Sequence, residues 1–231
     1  MKRSIAAGAA FALFAVFFWI TLTIRWIAGD GALMAAEMLD TAPPEATGLA
    51  PEEYPAMGSL TAAFLTGTGR FQMTRTGENG EEIPYFHDYE EAHMEDVRGL
   101  VRLDTVVMWI TLAAAALLAA AGILLRNLRA FARGILLGLG ILLAVLAGFL
   151  AWALIDFEGL FITFHRVAFT NDDWLLDPRT DLLIRLMPEA FFMRLGVRGL
   201  ARALAMPAGL AAAAWLILRK KKNTVPRGQE H

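Results

Sequence analysis

TVVMWITLAAAALLAAAGILLRNLRAFARGILLGLGILLAVLAGFLAWALI, residues 105–155, decides the fold. Two apolar runs, 105–125 and 134–155, each supply the about 20 residues that a membrane-spanning helix needs. Between them lies a short turn whose only charges are Arg126, Arg129 and Arg133. The stretch therefore reads as two antiparallel spans joined by a basic loop. Working outward, a third span runs over residues 4–28, behind Met1-Lys2-Arg3, and a weaker fourth over 203–218, with Pro207 inside it. A cleaved signal peptide competes for the first segment. Its apolar part exceeds the roughly 7–15 residues of a signal core, and no clean small-x-small cleavage site follows, so an uncleaved anchor is expected.

Composition agrees. Hydrophobic residues make up 57% of the 231 and charged residues 19%, with a mean hydropathy of +0.49; soluble domains average about 45–50% apolar and about 25% charged. This excludes a soluble globular enzyme and a disordered chain. Cysteine is absent, which removes disulfides, thiolate metal sites and cysteine nucleophiles. Serine occurs only at Ser4 and Ser59, and Ser59 sits in no nucleophile-elbow pattern. No phosphate-cradling glycine loop is visible, and no nucleic-acid partner is expected.

The net charge of −2 decides little, but its distribution sets an orientation. The N-terminal residues, the 126–133 loop and the 219–231 tail hold Lys2, Arg3, Arg126, Arg129, Arg133, Arg219, Lys220, Lys221, Lys222 and Arg227, against one acid, Glu230. Every other acid falls within 29–104 or 156–202. By the positive-inside rule both termini are expected in the cytoplasm and both acidic segments outside. The expected architecture is an all-α membrane protein of four transmembrane helices, N-in and C-in, with a small extracytoplasmic portion. Neither outer segment is large enough to own a sizeable core, so both should lie on the membrane or on each other. Residues 51–65 suit an amphipathic interfacial helix through Tyr54, Met57, Leu60 and Phe64. A β-hairpin should follow, with Phe71 and Met73 on one arm, Ile83 and Tyr85 on the other, and Gly77-Glu78-Asn79-Gly80 as the turn.

Three histidines remain on the outer side: His87, His93 and His165. If the stretch leading into the second span is helical, His93, Asp96, Val97 and Leu100 share a face. A carboxylate one turn away can orient an imidazole and raise its basicity. A solvated interfacial helix with one polar residue also accounts for His93. His165 borders Phe157, Phe161, Phe164, Ala168 and Phe169, where an imidazole is costly unless hydrogen-bonded or used; a satisfied packing histidine fits there equally. Asn171–Asp173 break the helix, Trp174 is a natural interface anchor, and Asp177-Pro178 reads as a helix start. Arg166, Arg179, Arg185, Arg194, Arg198 and Arg202 are expected to meet lipid phosphate or to pair with the outer acids. His231, at the extreme C-terminus, has no expected role.

Two motifs together carry a resemblance. His93-Met94-Glu95-Asp96-Val97 stands before one span. Phe161-Ile162-Thr163-Phe164-His165, continuing as Asn171-Asp172-Asp173-Trp174-Leu175-Leu176-Asp177-Pro178, stands after another. This pattern, with the four-span layout, resembles the lipoprotein intramolecular transacylases of bacteria. The resemblance implies an enzyme of the cytoplasmic membrane working on its outer side. Its substrate would be a lipoprotein whose N-terminal cysteine carries a diacylglyceryl thioether. The sn-2 acyl chain would move to the cysteine α-amine, giving a lyso-form lipoprotein. It maps two essential histidines onto His93 and His165 and implies no cofactor. Asp96 is the candidate orienter and Asn171 the candidate polar support. Residues 30–84 contribute no recognisable motif.

Two other functions compete on the residues themselves. A metal-dependent membrane hydrolase could draw on His87, His93 and His165, although no HExxH motif exists. A non-catalytic membrane binding or assembly factor would need none of the histidines. A transporter fits less well, because Arg25 and Asp156 sit at span ends rather than mid-membrane.

Overall fold

The computed structural model describes residues 1–67 and 69–220. Among them, four helices are long and apolar enough to cross a membrane: α1 (Lys2–Gly29), a long helix Asp88–Leu124, a third Leu128–Ile155, and the stretch Glu189–Arg219. The basic tail beyond Lys220, including Lys221, Lys222, Arg227 and His231, lies outside the described residues.

In chain order, α1 ends at Asp30, whose backbone leaves the helical region. Its side chain accepts the Leu33 amide at 2.9 Å and so starts α2 (Gly31–Thr41). A short α3 (Pro44–Thr47) and a 3-10 turn (Pro51–Glu53) lead into α4 (Tyr54–Thr66). Strands β1 (Thr74–Thr76) and β2 (Glu82–Pro84) pair antiparallel, Arg75 opposite Ile83, around the expected turn, where Gly80 takes φ +83°. Helix α5 (Asp88–Leu124) carries the second span and α6 (Leu128–Ile155) the third. Asp156 repeats the device of Asp30: it caps α6 while accepting the Gly159 amide at 2.9 Å, which opens α7 (Phe157–Ala168). The chain finishes with α8 (Leu182–Leu186), α9 (Glu189–Ala203) and α10 (Ala205–Arg219).

The spans pack around α1, which runs against both α5 and α6, while α10 lies on α6. Transmembrane helices attract one another through close backbone approach at small residues. Here Gly8 of α1 faces the Phe131 backbone of α6 and Gly134 of α6 faces the Ile5 backbone of α1, so tightly that a Cβ on either would stand 2.1 Å from the opposing carbonyl oxygen. The fourth span differs from the expected 203–218. Pro207 has no amide to donate to the Ala203 carbonyl, and the helix breaks at Leu204. On its N-terminal side, however, it continues back through α9 to Glu189, despite Arg194, Arg198 and Arg202. Arg194 donates to Asp40 at 2.6 Å, Arg198 pairs with the buried Glu37, and Arg202 lies 3.8 Å over the Trp26 ring.

The two long segments between spans, one after α1 and one after α6, share one core. Tyr54, Met38, Met57 and Phe71 from the first are fully buried with Leu186 and Phe191 from the second. Phe71, just before the hairpin, sits between Phe64 and Phe86 at 5.4 and 4.7 Å. The stretch 51–65, expected as one interfacial amphipathic helix, forms the 3-10 turn and then α4, which buries Tyr54, Met57 and Phe64 in this core. This shared core, packed on Ala28 near the end of α1 and Val101 of α5, is the platform on which the histidines meet.

Candidate active site

His93 lies two turns into α5 and His165 in the last turn of α7. Both are 7% exposed, and their ring centroids stand 5.9 Å apart with the planes tilted by 31°. The two histidines singled out in the sequence are thus brought together from opposite outer segments. Phe169 fills the angle between them, edge-on to His93 at 5.1 Å and 5.5 Å from His165. Phe161, Phe164 and Trp174 complete an aromatic wall around His165 at 4.2, 5.4 and 5.2 Å.

The surroundings fix the chemistry of each ring. His165 Nδ1 lies 2.7 Å from the Phe161 carbonyl oxygen. A carbonyl can only accept, so Nδ1 carries the proton and Nε2 holds the lone pair. His93 Nδ1 is buried with no hydrogen-bond partner. Burial in this apolar pocket disfavours the charged form of both rings. It pulls His93 down to about 4, helped by the proximity of His165 and opposed by Asp96 and Asp173. It pulls His165 below its usual value as well, against the bond to Phe161. At neutral pH the pair is two uncharged imidazoles.

Asp96 makes no hydrogen bond to either imidazole among the described residues. Its Oδ2 instead accepts Asn171 Nδ2 at 2.7 Å. Asn171 also accepts the Asp173 amide at 3.2 Å, and its carbonyl takes the Trp174 indole N–H at 3.0 Å. The Asp96–Asn171 bond therefore ties the His93 helix to the loop that carries the Trp174 wall. Asp96, Gly99, Phe169, Thr170 and Asn171 line a hollow of about 140 Å³.

Sequence reasoning missed a second pair of carboxylates. Glu90, one turn before His93, is wholly buried and accepts two backbone amides, His87 at the head of α5 and Leu183 at the head of α8, each at 2.7 Å. Asp181 beside it accepts Tyr89 Oη at 2.6 Å, Thr180 Oγ1 at 2.6 Å and the Asp177 amide at 2.7 Å. The only available signal was Glu90 at the third position after His87, the spacing of a capping box. His87 stands with Glu90 and Asp181, the one group among the described residues with metal-ligand proximity. It does not join His93 and His165. All four carboxylate oxygens of Glu90 and Asp181 already accept hydrogen bonds, so this cluster reads as a staple between the two outer segments. Of the six arginines singled out in these segments, Arg179, Arg194 and Arg198 pair with acids, Arg179 with Asp177 at 2.6 Å.

Comparison with known proteins gives a consistent result. A family model described as lipoprotein intramolecular transacylase Lit matches residues 9–192. The fold is similar to a structure of the membrane-integral lipoprotein intramolecular transacylase Lit from Bacillus cereus, at 20% identity and a TM-score of 0.68 over 94% of both chains. Two variants of that protein, with one histidine changed to arginine or to alanine, match with a TM-score of 0.63 at 20% identity. Each covers 94% of this chain, and 90% and 91% of the respective variant chains are matched. No curated protein matches the sequence.

Proposed function

The chain belongs to the Lit family of lipoprotein intramolecular transacylases, membrane acyltransferases, and on that premise we propose a reaction for it. It moves the sn-2 acyl chain of a diacylglyceryl-cysteine lipoprotein to the α-amine of the same cysteine, by histidine-assisted aminolysis. The observation that carries this reading is the pair of buried, uncharged imidazoles 5.9 Å apart.

Amine and ester belong to one molecule. Holding them in reach of each other supplies up to about 7–11 kcal/mol of the barrier, so no acyl-enzyme is required of an outer face almost without nucleophiles. His165 is the base. Its Nε2 lone pair takes a proton from the amine as nitrogen attacks the sn-2 carbonyl, and Nδ1 stays fixed on Phe161. The same Nε2 then delivers that proton to the departing glycerol oxygen. One C–N bond forms, one C–O bond breaks, and one proton passes from nitrogen to oxygen. General base and acid help of this kind contributes typically about 10²–10⁴-fold. His93, with Nδ1 buried and unpartnered, presents Nε2–H to the oxyanion of the tetrahedral intermediate. A neutral ring suits this role, and one such donor contributes about 10²–10³ in rate. Asp96 and Asn171 support the pair by holding α5 to the Trp174 loop. No cofactor takes part in these steps. The distribution of basic and acidic residues supports an extracytoplasmic site in a bacterial cytoplasmic membrane, where the lipoprotein head group lies.

The test is mass spectrometry of the N-terminal lipopeptide of a reporter lipoprotein. The reporter is co-expressed with wild type, His93→Ala or His165→Ala in a host lacking other N-acylation activity. Wild type should give an amide-linked acyl chain and a monoacylglyceryl group, and both variants should lose the product while still reaching the membrane. An unchanged diacylglyceryl terminus beside well-expressed wild type would overturn the reading in favour of a binding role. Activity abolished by chelation and restored by zinc would favour a metal hydrolase.

A further inference from the structure

Aminolysis as written leaves one polar feature of the site unused, the hollow beside the histidine pair. Asp96 enters it from α5, and Phe169 connects it to both rings. Only one oxygen of the Asp96 carboxylate is engaged, by Asn171 Nδ2. Asp96 Oδ1 has no hydrogen-bond partner among the described residues. Asp96 does not turn to an arginine; Glu95, its neighbour, takes Arg98 instead. A half-buried carboxylate, held in place by an amide and with one oxygen free, attracts a cation more strongly than a solvated one. The hollow has roughly the room of four or five waters, enough for an amino group and its first attached atoms but not for a peptide segment.

We propose that this hollow is the subsite for the protonated α-amino group of the substrate's N-terminal residue, with Asp96 as its counter-charge and Asn171 as the group that aims Asp96. The proposal rests on the transacylase reading above. A free α-amine has a pKa of about 7.7–8.0, so near neutrality the substrate arrives chiefly as an ammonium. Bound there, the nitrogen sits next to the His165 base. One ammonium proton leaves to solvent, which half-buried Asp96 still meets. The second passes through His165 to the glycerol oxygen, so turnover of the protonated substrate releases one proton overall. The titratable groups that act on His93, one turn back from Asp96 on α5, are Asp96 itself, His165 from α7 and Asp173 from the loop after it. Burial pulls both rings below their usual range, which leaves the substrate amine, at about 7.7–8.0, as the group that titrates within the range of the assay.

The experiment uses the full chain in detergent micelles and a synthetic diacylglyceryl-cysteine lipopeptide, with KM measured as mole fraction from pH 6.5 to 9.5. For wild type, KM should rise about tenfold or more as the ammonium is lost, the weight of a hydrogen bond to a charged group. Asp96→Asn should start about tenfold higher at pH 7 and stay flat, converging with wild type above pH 9. Asp96→Glu, which keeps the charge, should follow the wild-type slope. A ratio of variant to wild-type KM that is the same at every pH would overturn the subsite and leave Asp96 a structural link. So would a wild-type KM that does not rise, a result that needs no variant to fold. No conversion by wild type at any pH would instead overturn the transacylase reading itself.

Discussion

Replacing Glu90 with alanine should loosen the site from beneath without touching either histidine. The carboxylate is wholly buried and receives the amides of His87 and Leu183, each at 2.7 Å. Alanine leaves both N–H groups without an acceptor inside the shared outer core. Each orphaned buried donor costs about 1–3 kcal/mol, so the two together cost about 2–6 kcal/mol. That is a large share of the about 5–15 kcal/mol by which folded domains are usually stable. For a chain of this size each kcal/mol shifts Tm by about 2–4 °C, so a drop of about 5 °C or more is expected. The assay is tryptophan-fluorescence melting in detergent, where Trp174 reports on the affected loop, run beside transacylation of a reporter lipopeptide well below Tm. Glu91→Ala is the control, because the Glu91 carboxylate only takes Gln72 Nε2 at the surface. Glu90→Gln should fall between, keeping one acceptor and setting an amide N–H against the other donor. If Glu90→Ala melts with Glu91→Ala and keeps its rate, the staple holds nothing and the reasoning fails.

Two more outcomes follow from the packing and the titration. Gly134→Leu should prevent accumulation of folded protein in the membrane, since its Cβ alone would lie 2.1 Å from the Ile5 carbonyl oxygen. Gly140→Leu on the same helix, with open space around its Cβ, should accumulate normally, and equal yields in a membrane-fraction blot would contradict the close crossing. Because burial holds His93 at about 4 in the folded protein against about 6.5 unfolded, the unfolded chain binds more protons in that window. Stability should therefore fall as pH drops from 6.5 towards 4, by on the order of 3 kcal/mol for this group. His93→Asn should flatten that part of the Tm-versus-pH curve, and an unchanged slope would show that His93 titrates normally.

What the sequence made legible was what depends on local composition. Length and hydropathy mark the spans, and Gly77–Gly80 between alternating arms marks the hairpin, because these signals need no partner from elsewhere. His93 and His165 were visible through their motifs, not through spacing, which left a plain packing role open for each. Glu90 was hidden among Asp88, Glu90 and Glu91, three acids at a helix start of which only Glu90 turns inward. Its burial depends on Leu183, which lies two spans later. The outward extension of the fourth span was hidden by Arg194, Arg198 and Arg202, whose charges lower the local hydropathy but are matched by Glu37, Asp40 and the Trp26 face. Asp96 was expected to orient His93, yet its hydrogen bond goes to Asn171, a choice that only the fold of the later segment makes.

The shared outer core also sets an order on biosynthesis. Tyr54, Met57 and Phe71 are made long before Leu186 and Phe191, the residues that bury them from the other side. Until the ribosome has delivered the chain past α8 and into α9, the first outer segment carries an unfinished apolar face. His93 meanwhile has no second imidazole. A nascent or truncated chain ending after α6 thus lacks the imidazole pair and bears the kind of exposed apolar surface that proteases and chaperones recognise. The imidazole pair forms only once α7 has come back against α5, and its core closes only with α8 and α9, so the two halves of the chain have to meet before either is complete.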